Sequence, residues 1–216
     1  MKVVLLGGGG HGEVVADILL AERRNGRAID IVGFVDNDPN THGRYLVGGR
    51  VLGPESRLPT IPHDALIVSI GDNARRRSLF LKLQANGERF ATARHPASVL
   101  APDVRVGEGS MIAAGVIVNP GSKVGRNVIL NTASSIDHHC VIGNHAHIAP
   151  GARLGGGVSV GDIALVGIGA VVLPGVAIGP GAVIGGGAVV IRNVPAGLTV
   201  AGNPAHALAS DEGGRG

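Results

Sequence analysis

Aromatic residues are nearly absent from this 216-residue chain, which contains no Trp, one Tyr and three Phe. Proteins that bind single-stranded nucleic acid usually stack the bases on aromatic side chains, and such platforms are scarce here. The excess of positive charge is also small, because the formal net charge is +3 and the longest basic run is Arg75-Arg76-Arg77. Both features argue against a nucleic-acid-binding protein. A core without aromatic residues must be built from Val, Ile, Leu and Ala, which suits a repetitive, closely stacked architecture.

Cysteine and long apolar runs are lacking too. The one cysteine, Cys140, excludes an intrachain disulfide framework. No apolar stretch approaches the ~20 residues of a membrane helix. The apolar start of the chain gives way to glycine at Gly7, too early for the core of a signal peptide. We therefore expect a cytoplasmic enzyme or binding protein.

What the chain has in abundance is glycine, with 37 residues, and a strict repeat of six residues. Every sixth residue from Leu100 to Val190 is Leu, Ile or Val, and the residue two positions earlier is Ser, Val, Cys or Ala. This period predicts short parallel strands that turn one aliphatic side chain inward, with three strands to a coil and about five coils. An α-helix is excluded because its apolar period is ~3.6, and a β-sandwich because its turn signals recur every ~8–12 residues.

Residues 1–95 follow a different pattern, in which short apolar strands alternate with helices. Segments 3–6, 31–35 and 65–70 predict three strands, and a glycine-rich turn with His11 inside it separates the first from a helix. Such alternation predicts a parallel α/β sheet of the Rossmann-like type. Backbone amides at a helix N-terminus attract phosphate, and Asp36, at the end of the second strand, is placed to hold a ribose hydroxyl. This pattern alone would also accommodate NAD, although the domain is short for that role.

Several short motifs resemble those of one family. Gly-Gly-His-Gly follows the first strand, Phe-Val-Asp ends the second, Ile-Gly-Asp-Asn ends the third, and His95-Pro96 leads into the repeat. In combination they resemble the hexapeptide-repeat acetyltransferases. That family contains sialic acid O-acetyltransferases and N-acetyltransferases of nucleotide-linked 4-amino-4,6-dideoxy sugars, such as the UDP-4-amino-sugar enzymes of the bacillosamine pathway. The resemblance extends from residue 1 to about residue 206.

The resemblance implies a domain organisation and a co-substrate. Residues 1–95 would be a Rossmann-like domain that binds the nucleotide sugar rather than NAD, and 96–206 a left-handed β-helix acyltransferase domain, followed by a flexible tail at 207–216. Acetyl-CoA would lie in the groove between adjacent β-helices of a homotrimer. No metal ion is expected.

The resemblance also assigns roles to particular residues. His138 matches the family's general base, and a histidine is suited to removing a proton from an attacking amine near neutral pH. An acidic residue follows this base in the family, whereas this chain has His139. His147 matches a residue that contacts the acetyl carbonyl and would steady the developing oxyanion. The nucleotide-sugar positions are Gly9, Gly10, His11, Asp36, Asn37, Gly71 and Asn131, and the CoA positions are His147, Gly156, Ile168 and Gly186.

Other functions fit parts of the pattern. The scaffold that N-acetylates an amino sugar also O-acetylates sialic acid, so the acceptor stays open. Four histidines between 138 and 147 are also compatible with a zinc lyase built on a β-helix. A non-catalytic sugar-nucleotide-binding scaffold is a third alternative. We expect Cys140 in the core, and His139 and His145 as exposed polar residues without a role.

Overall fold

The protein, described here by a computed structural model covering residues 1–208, consists of an α/β part followed by a parallel β-helix. The predicted fold class is confirmed. No helix within these residues is long and apolar enough to cross a membrane.

The α/β part is built on a short parallel sheet. Its strands run in the order β2 (Asp30–Val35), β1 (Lys2–Leu6) and β5 (Ala65–Val68), with Leu5 of β1 opposite Phe34 of β2 and Ile67 of β5. Strands β3 (Tyr45–Leu46) and β4 (Gly49–Arg50) form a small antiparallel hairpin. The elements are β1 (Lys2–Leu6), α1 (Gly10–Arg24), β2 (Asp30–Val35), β3 (Tyr45–Leu46), β4 (Gly49–Arg50), β5 (Ala65–Val68) and α2 (Asn73–Ala85), with 3-10 turns at Pro39–Thr41 and Glu55–Thr60.

Local sequence fixes where the two helices begin. α1 follows the glycine turn closely, because a Cβ on Gly12 would collide with the carbonyl oxygen of Gly7. Asp72 caps α2, and its carboxylate accepts a hydrogen bond of 2.7 Å from the backbone N–H of Arg75. Such a cap satisfies one of the unpaired amides of the first turn. Both helix starts therefore lie at the carboxyl edge of the sheet.

The β-helix stacks two-residue strands on three faces. Paired residues are 18 positions apart, as in Ile117 opposite Ser135. We name the faces by their order along the chain. Face 1 contains β7 (Val99–Leu100), β10 (Ile117–Val118), β13 (Ser135–Ile136), β16 (Arg153–Leu154), β19 (Val171–Val172) and β22 (Val189–Val190). Face 2 contains β8 (Arg105–Val106), β11 (Lys123–Val124), β14 (Val141–Ile142), β17 (Ser159–Val160) and β20 (Ala177–Ile178). Face 3 contains β6 (Ala93–Arg94), β9 (Met111–Ile112), β12 (Ile129–Leu130), β15 (His147–Ile148), β18 (Leu165–Val166), β21 (Val183–Ile184), β23 (Thr199–Ala201) and β24 (His206–Ala207).

The side chains that point into the β-helix form a ladder from coil to coil, and they are the aliphatic residues of the six-residue repeat. Ile136, Leu154 and Val172 are each at most 3% exposed, and burying such a side chain contributes roughly 1.5–3 kcal/mol. Cys140 is fully buried at a small inward position, which confirms its place in the core. The first residue of each two-residue strand faces away from this ladder.

The β-helix is longer than predicted at both ends. Ala93 and Arg94 already pair with β9, and Thr199–Ala201 continues face 3 beyond Val190, the last residue of the strict repeat. The number of coils is therefore about six instead of the predicted five, because end strands need no aliphatic-glycine pattern. Of the tail predicted at 207–216, Ala207 pairs with Val200, and residues 209–216 lie outside the described part of the chain.

Candidate active site

A cavity of about 360 Å³ opens at the carboxyl ends of β1, β2 and β5. Open α/β sheets bind their ligands at this edge. Six of the seven residues predicted to bind the nucleotide sugar line it: Gly9, Gly10, His11, Asp36, Asn37 and Gly71. Eight further residues line it that were not predicted as site residues, and three of these lie outside the predicted strands and the glycine turn: Glu55, Arg75 and Leu79. The seventh predicted residue, Asn131, lies on the β-helix.

Asp36 and Asn37 build the wall of this cavity. The Asp36 carboxylate accepts hydrogen bonds from the backbone N–H groups of Gly8 at 2.6 Å and Asp38 at 2.9 Å, which ties the glycine turn to the loop after β2. The Asn37 side-chain oxygen accepts from the backbone N–H of Glu55 at 2.9 Å. Both oxygens of Asp36 are thus already engaged, so its predicted contact with a ribose would use remaining lone pairs.

His11 extends the cavity toward the β-helix. It lies in the first turn of α1, and its ring centre is 6.5 Å from that of His147, which points outward from face 3. The Asn131 amide nitrogen is 3.2 Å from Nε2 of His147. Asn131 directs its NH2 group to the ring because its side-chain oxygen accepts from the backbone N–H of Thr132. In this geometry Nε2 of His147 is an acceptor, and its ring proton is on Nδ1.

Both of these histidines are neutral at physiological pH. Burial, and next the Arg76 cation, lower the pKa of His11 to about 4. The same two causes, with a smaller contribution from His11, lower the pKa of His147 to about 3, against a hydrogen bond with the Gly71 backbone that acts to raise it. A neutral imidazole acts on a carbonyl oxygen only through its N–H, and the N–H of His147 is given to the Gly71 backbone, so the amide of Asn131 is the free donor beside it.

His138 lies on a separate, exposed turn between faces 1 and 2. Its Nδ1 is 3.0 Å from Nδ1 of His139, so one of the two rings must donate to the other. Asp137 does not take the place of the acidic residue that follows the general base in the resembled family. Its carboxylate accepts from the side chain of Asn119 at 2.8 Å and from the His138 backbone N–H at 2.8 Å, and these bonds hold the pKa of Asp137 below its usual value. If His138 donates from Nδ1, its Nε2 is left free to accept a proton.

Gly156, one coil beyond His138, leaves room for this ring. A Cβ at Gly156 would lie 2.5 Å from both Cε1 and Nε2 of His138. His139 has a left-handed backbone, with φ 57°, and Gly157 has φ 70° at the equivalent position of the next coil. The turn therefore combines a glycine that leaves room for the His138 ring with a histidine in the left-handed backbone region. Among residues other than glycine, Asn, Asp and His adopt that region most often.

The predicted catalytic residues do not converge within one chain. His138 and Gly156 lie at the edge between faces 1 and 2, whereas His147 lies on face 3 beside the α/β part. Asn131, Ile168 and Gly186 follow face 3 strands, at the edge between faces 3 and 1. All of face 1 separates the two groups.

Two residues near the site differ from the sequence-based view. His145 is 6% exposed, so the expectation of an exposed polar residue is wrong. It packs edge-on against Phe80 of α2, and its Nδ1 is 2.9 Å from the Asn127 amide nitrogen. Arg76 was missed altogether, although it shares the buried face of α2 with Phe80 and Leu83, a helical spacing that would have flagged it.

No cluster of three or more metal-ligating side chains occurs within residues 1–208. Of the four histidines between 138 and 147, His138 and His139 share the turn between faces 1 and 2, whereas His145 lies in the turn between faces 2 and 3 and His147 on face 3.

Two families of known proteins match the chain. Residues 2–83 match the PglD N-terminal domain, and residues 121–156 match the bacterial transferase hexapeptide (six repeats). Among characterised sequences, UDP-N-acetylbacillosamine N-acetyltransferase from Bacillus subtilis is 32% identical over 117 residues, which is 51% of this chain and 50% of that protein. That alignment spans only half the length of the relative.

Solved structures match over nearly the full chain. GDP-perosamine N-acetyltransferase from Caulobacter crescentus, crystallised with CoA and GDP-perosamine, is 38% identical with a TM-score of 0.88, covering 97% of this chain and 98% of that one. Two of its structures carry a single histidine replaced by Ala or Asn. The acetyltransferase domain of PglB from Neisseria gonorrhoeae, in complex with acetyl-coenzyme A, is 34% identical with a TM-score of 0.87, covering 96% and 98%.

Fold, cavity and histidines together define the class of protein: the chain belongs to the hexapeptide-repeat acetyltransferases with a PglD-type N-terminal domain. Within this class it belongs with the acetyl-CoA-dependent N-acetyltransferases of nucleotide-linked sugars. The expected co-substrate, acetyl-CoA, is that of the family.

Proposed function

We propose that this chain transfers the acetyl group of acetyl-CoA to the amino group of a nucleotide-linked 4-amino-4,6-dideoxy sugar. One observation carries the proposal: the cavity in the α/β part ends at His11, whose ring lies 6.5 Å from that of His147 on the β-helix. A cavity of about 360 Å³ is of the size that holds small ligands. A nucleotide held there would direct its sugar to the surface of the β-helix. The GDP-perosamine and CoA bound to the Caulobacter enzyme support this assignment.

The chemistry is a direct transfer without a covalent enzyme intermediate. The amine nitrogen attacks the thioester carbonyl carbon while Nε2 of His138 removes a proton from it. The Asn131 amide has two N–H donors, and it gives one of them to Nε2 of neutral His147. The other N–H stabilises the negative oxygen of the tetrahedral intermediate, with the orientation of the amide fixed by His147. The C–S bond then breaks, the amide product forms, and the proton on His138 returns to the CoA thiolate. Gly156, Ile168 and Gly186 line the groove for CoA.

A second copy of the chain completes the site. His138 is remote from His147 in one chain, so a neighbouring copy must bring its His138 to the cavity. Face 1, between the two groups, carries two adjacent exposed apolar side chains, Val99 at 63% and Ile117 at 43% exposure, and its last two coils present the half-buried Val171 and Val189. Contiguous exposed apolar surface marks an interface. We assign this face to the contact within a homotrimer, with active sites between subunits, in a cytoplasmic enzyme.

Glu55 supports a guanine nucleotide as the carrier. Its side chain lines the cavity with 19% exposure, and Lys82 Nζ fixes one carboxylate oxygen at 2.7 Å. Guanine presents an N–H and an NH2 donor on one edge, which suits a carboxylate acceptor. Uracil places carbonyl oxygens on both sides of its single N–H, and a carboxylate repels them.

Glu55→Gln should therefore lower kcat/KM for a GDP-linked amino sugar by about 10- to 100-fold, the scale of a bidentate base contact, with little effect on a UDP-linked one. Steady-state kinetics with both nucleotide sugars measure the change. Glu88→Gln is the matched control, since Glu88 pairs with His63 and does not line the cavity. A wild-type preference for the UDP-linked sugar would rule out the guanine assignment.

Free-thiol release from acetyl-CoA tests the function itself. The acceptor panel contains GDP- and UDP-linked 4-amino-4,6-dideoxy sugars and sialic acid. Turnover with an amino sugar is the expected result. Turnover with sialic acid alone would make the enzyme an O-acetyltransferase, and no thiol release with any acceptor would favour a sugar-nucleotide-binding scaffold.

A further inference from the structure

A buried arginine joins the α/β part to the β-helix. Arg76 of α2 is 1% exposed, and within residues 1–208 no carboxylate pairs with it. Burial lowers its pKa to about 10, so the guanidinium remains protonated at neutral pH. An unpaired buried charge is unfavourable unless hydrogen bonds compensate for the lost water.

The compensation comes from both parts of the protein at once. On the α/β side, Arg76 donates to the carbonyl oxygens of Ile70 at 3.2 Å and Gly71 at 3.1 Å. On the β-helix side, it donates to the carbonyl oxygens of Asn127 at 3.2 Å and His145 at 2.6 Å. The planar guanidinium has five N–H donors in a fixed fork, so a single side chain can hold all these backbone groups in place.

Asn73, at the start of α2, extends the same contact. Its side-chain oxygen accepts from Nη2 of Arg76 at 2.7 Å, and its NH2 group donates to the carbonyl oxygens of Ile163 and Ala164, both at 3.0 Å. We refer to Arg76 and Asn73 as the interdomain clasp. Together they hold α2 against backbone from three successive coils of the β-helix.

The carbonyl groups that the clasp holds are next to the proposed chemistry. Gly71 lines the nucleotide cavity, and its backbone also contacts the ring of His147. His145 is two residues before His147 and ends the turn that leads into β15. The clasp therefore connects the rim of the cavity to the strand that carries His147.

We propose that the interdomain clasp positions the nucleotide sugar for transfer, by fixing the Gly71 rim of the cavity relative to the His147 strand. The proposal rests on the proposed function, because it assumes that the acceptor amine reaches the acetyl group across this junction. Arg76 is a positioning residue in this account and does not touch the reacting atoms. Misplacement of reacting groups by ~1 Å is enough to lower a rate by about 10²-fold.

The test compares Arg76→Met, Arg76→Lys and Asn73→Ala with Arg77→Met, which removes an exposed arginine from the same helix. Each variant is assayed below its own unfolding temperature, so that loss of folded protein does not enter kcat. For Arg76→Met we expect kcat to fall by about 10²-fold while KM for acetyl-CoA stays within about 3-fold. Arg76→Lys should recover part of the loss, since it keeps the charge but not the fork. A kcat in Arg76→Met equal to that of wild type would overturn the proposal and leave the residue a purely structural role.

Hydrogen exchange separates this proposal from the proposed function. If the clasp couples the two parts, exchange of backbone amides at 70–73 and 145–147 should accelerate together in Arg76→Met and not in Arg77→Met. This readout needs no acetyl transfer. An inactive wild-type protein would therefore contradict the proposed acetyltransferase function but not the role of the interdomain clasp. Unchanged exchange at both segments would overturn the clasp even in an active enzyme.

Discussion

Replacement of His138 by Asn is expected to lower kcat by about 10²–10⁴-fold, the usual contribution of general-base catalysis. Asn cannot take the proton that the attacking amine must lose. The substitution preserves the turn, because Asn is smaller than His and the space beside Gly156 is already present. Binding of the nucleotide sugar should change little, since neither the cavity in the α/β part of the same chain nor its rim includes His138.

The measurement is single-turnover acetyl transfer with saturating substrates, together with calorimetric binding of each substrate. His63→Asn is the matched control, because His63 pairs with Glu88 away from the cavity. A His138→Asn protein that keeps more than about a tenth of the wild-type rate would assign the base to another residue. A variant that binds neither substrate would instead point to a structural role for this turn.

Mixing two inactive variants tests the shared site. If the base comes from a neighbouring copy, a hetero-oligomer of His138→Asn and a cavity variant such as Gly71→Val contains some sites with an intact cavity and an intact base. Activity should then return in the mixture, because each chain supplies the half that the other lacks.

The repeat was predictable because its physics is local. One aliphatic residue every six positions is a direct consequence of three-strand coils, so Leu100 to Val190 determine both the fold and its register. The cavity was predictable for a similar reason, since the residues from Gly9 to His11 and at Asp36 follow strands whose carboxyl ends meet at one edge.

The junction between the two parts was not predictable in this way. The spacing of Arg76, Phe80 and Leu83 places Arg76 on the buried face of α2, but it does not show that this face packs on the β-helix. Apart from the side chain of Asn73, the partners of Arg76 are backbone carbonyls, which every residue type provides, so no pattern in the sequence marks them. His145 was misjudged because its turn is covered by Phe80 of α2, a contact between segments 65 residues apart in the sequence.

The same junction makes the folded protein sensitive to acid. His11, His145 and His147 have folded-state pKa values of about 4, 4 and 3, with burial as the first cause and the Arg76 cation as the second in each. In the unfolded chain their pKa values return to ~6.5. Between these values the unfolded state binds more protons than the folded state, so stability is complete above pH ~6.5 and declines as the pH falls toward 4. His63 acts in the opposite direction, because its folded-state pKa is raised and its contribution is lost on the alkaline side.

We therefore expect the free energy of unfolding to fall by roughly 3–6 kcal/mol between pH 7.5 and pH 5, the sum for three histidines after allowing for their partial exposure and for His63. That loss is a large fraction of the ~5–15 kcal/mol that stabilises a typical domain. Urea titrations at one protein concentration and fixed ionic strength measure it, and His147→Gln should reduce the pH dependence by about a third, because one of three contributing groups is removed. Equal unfolding free energies at the two pH values would mean that the junction admits protons, and with them water, while the protein stays folded. A β-helix docked only by its apolar faces could tolerate that. A β-helix docked through a buried cation and neutral histidines could not, because each histidine protonated there would be repelled by the positive charge of Arg76.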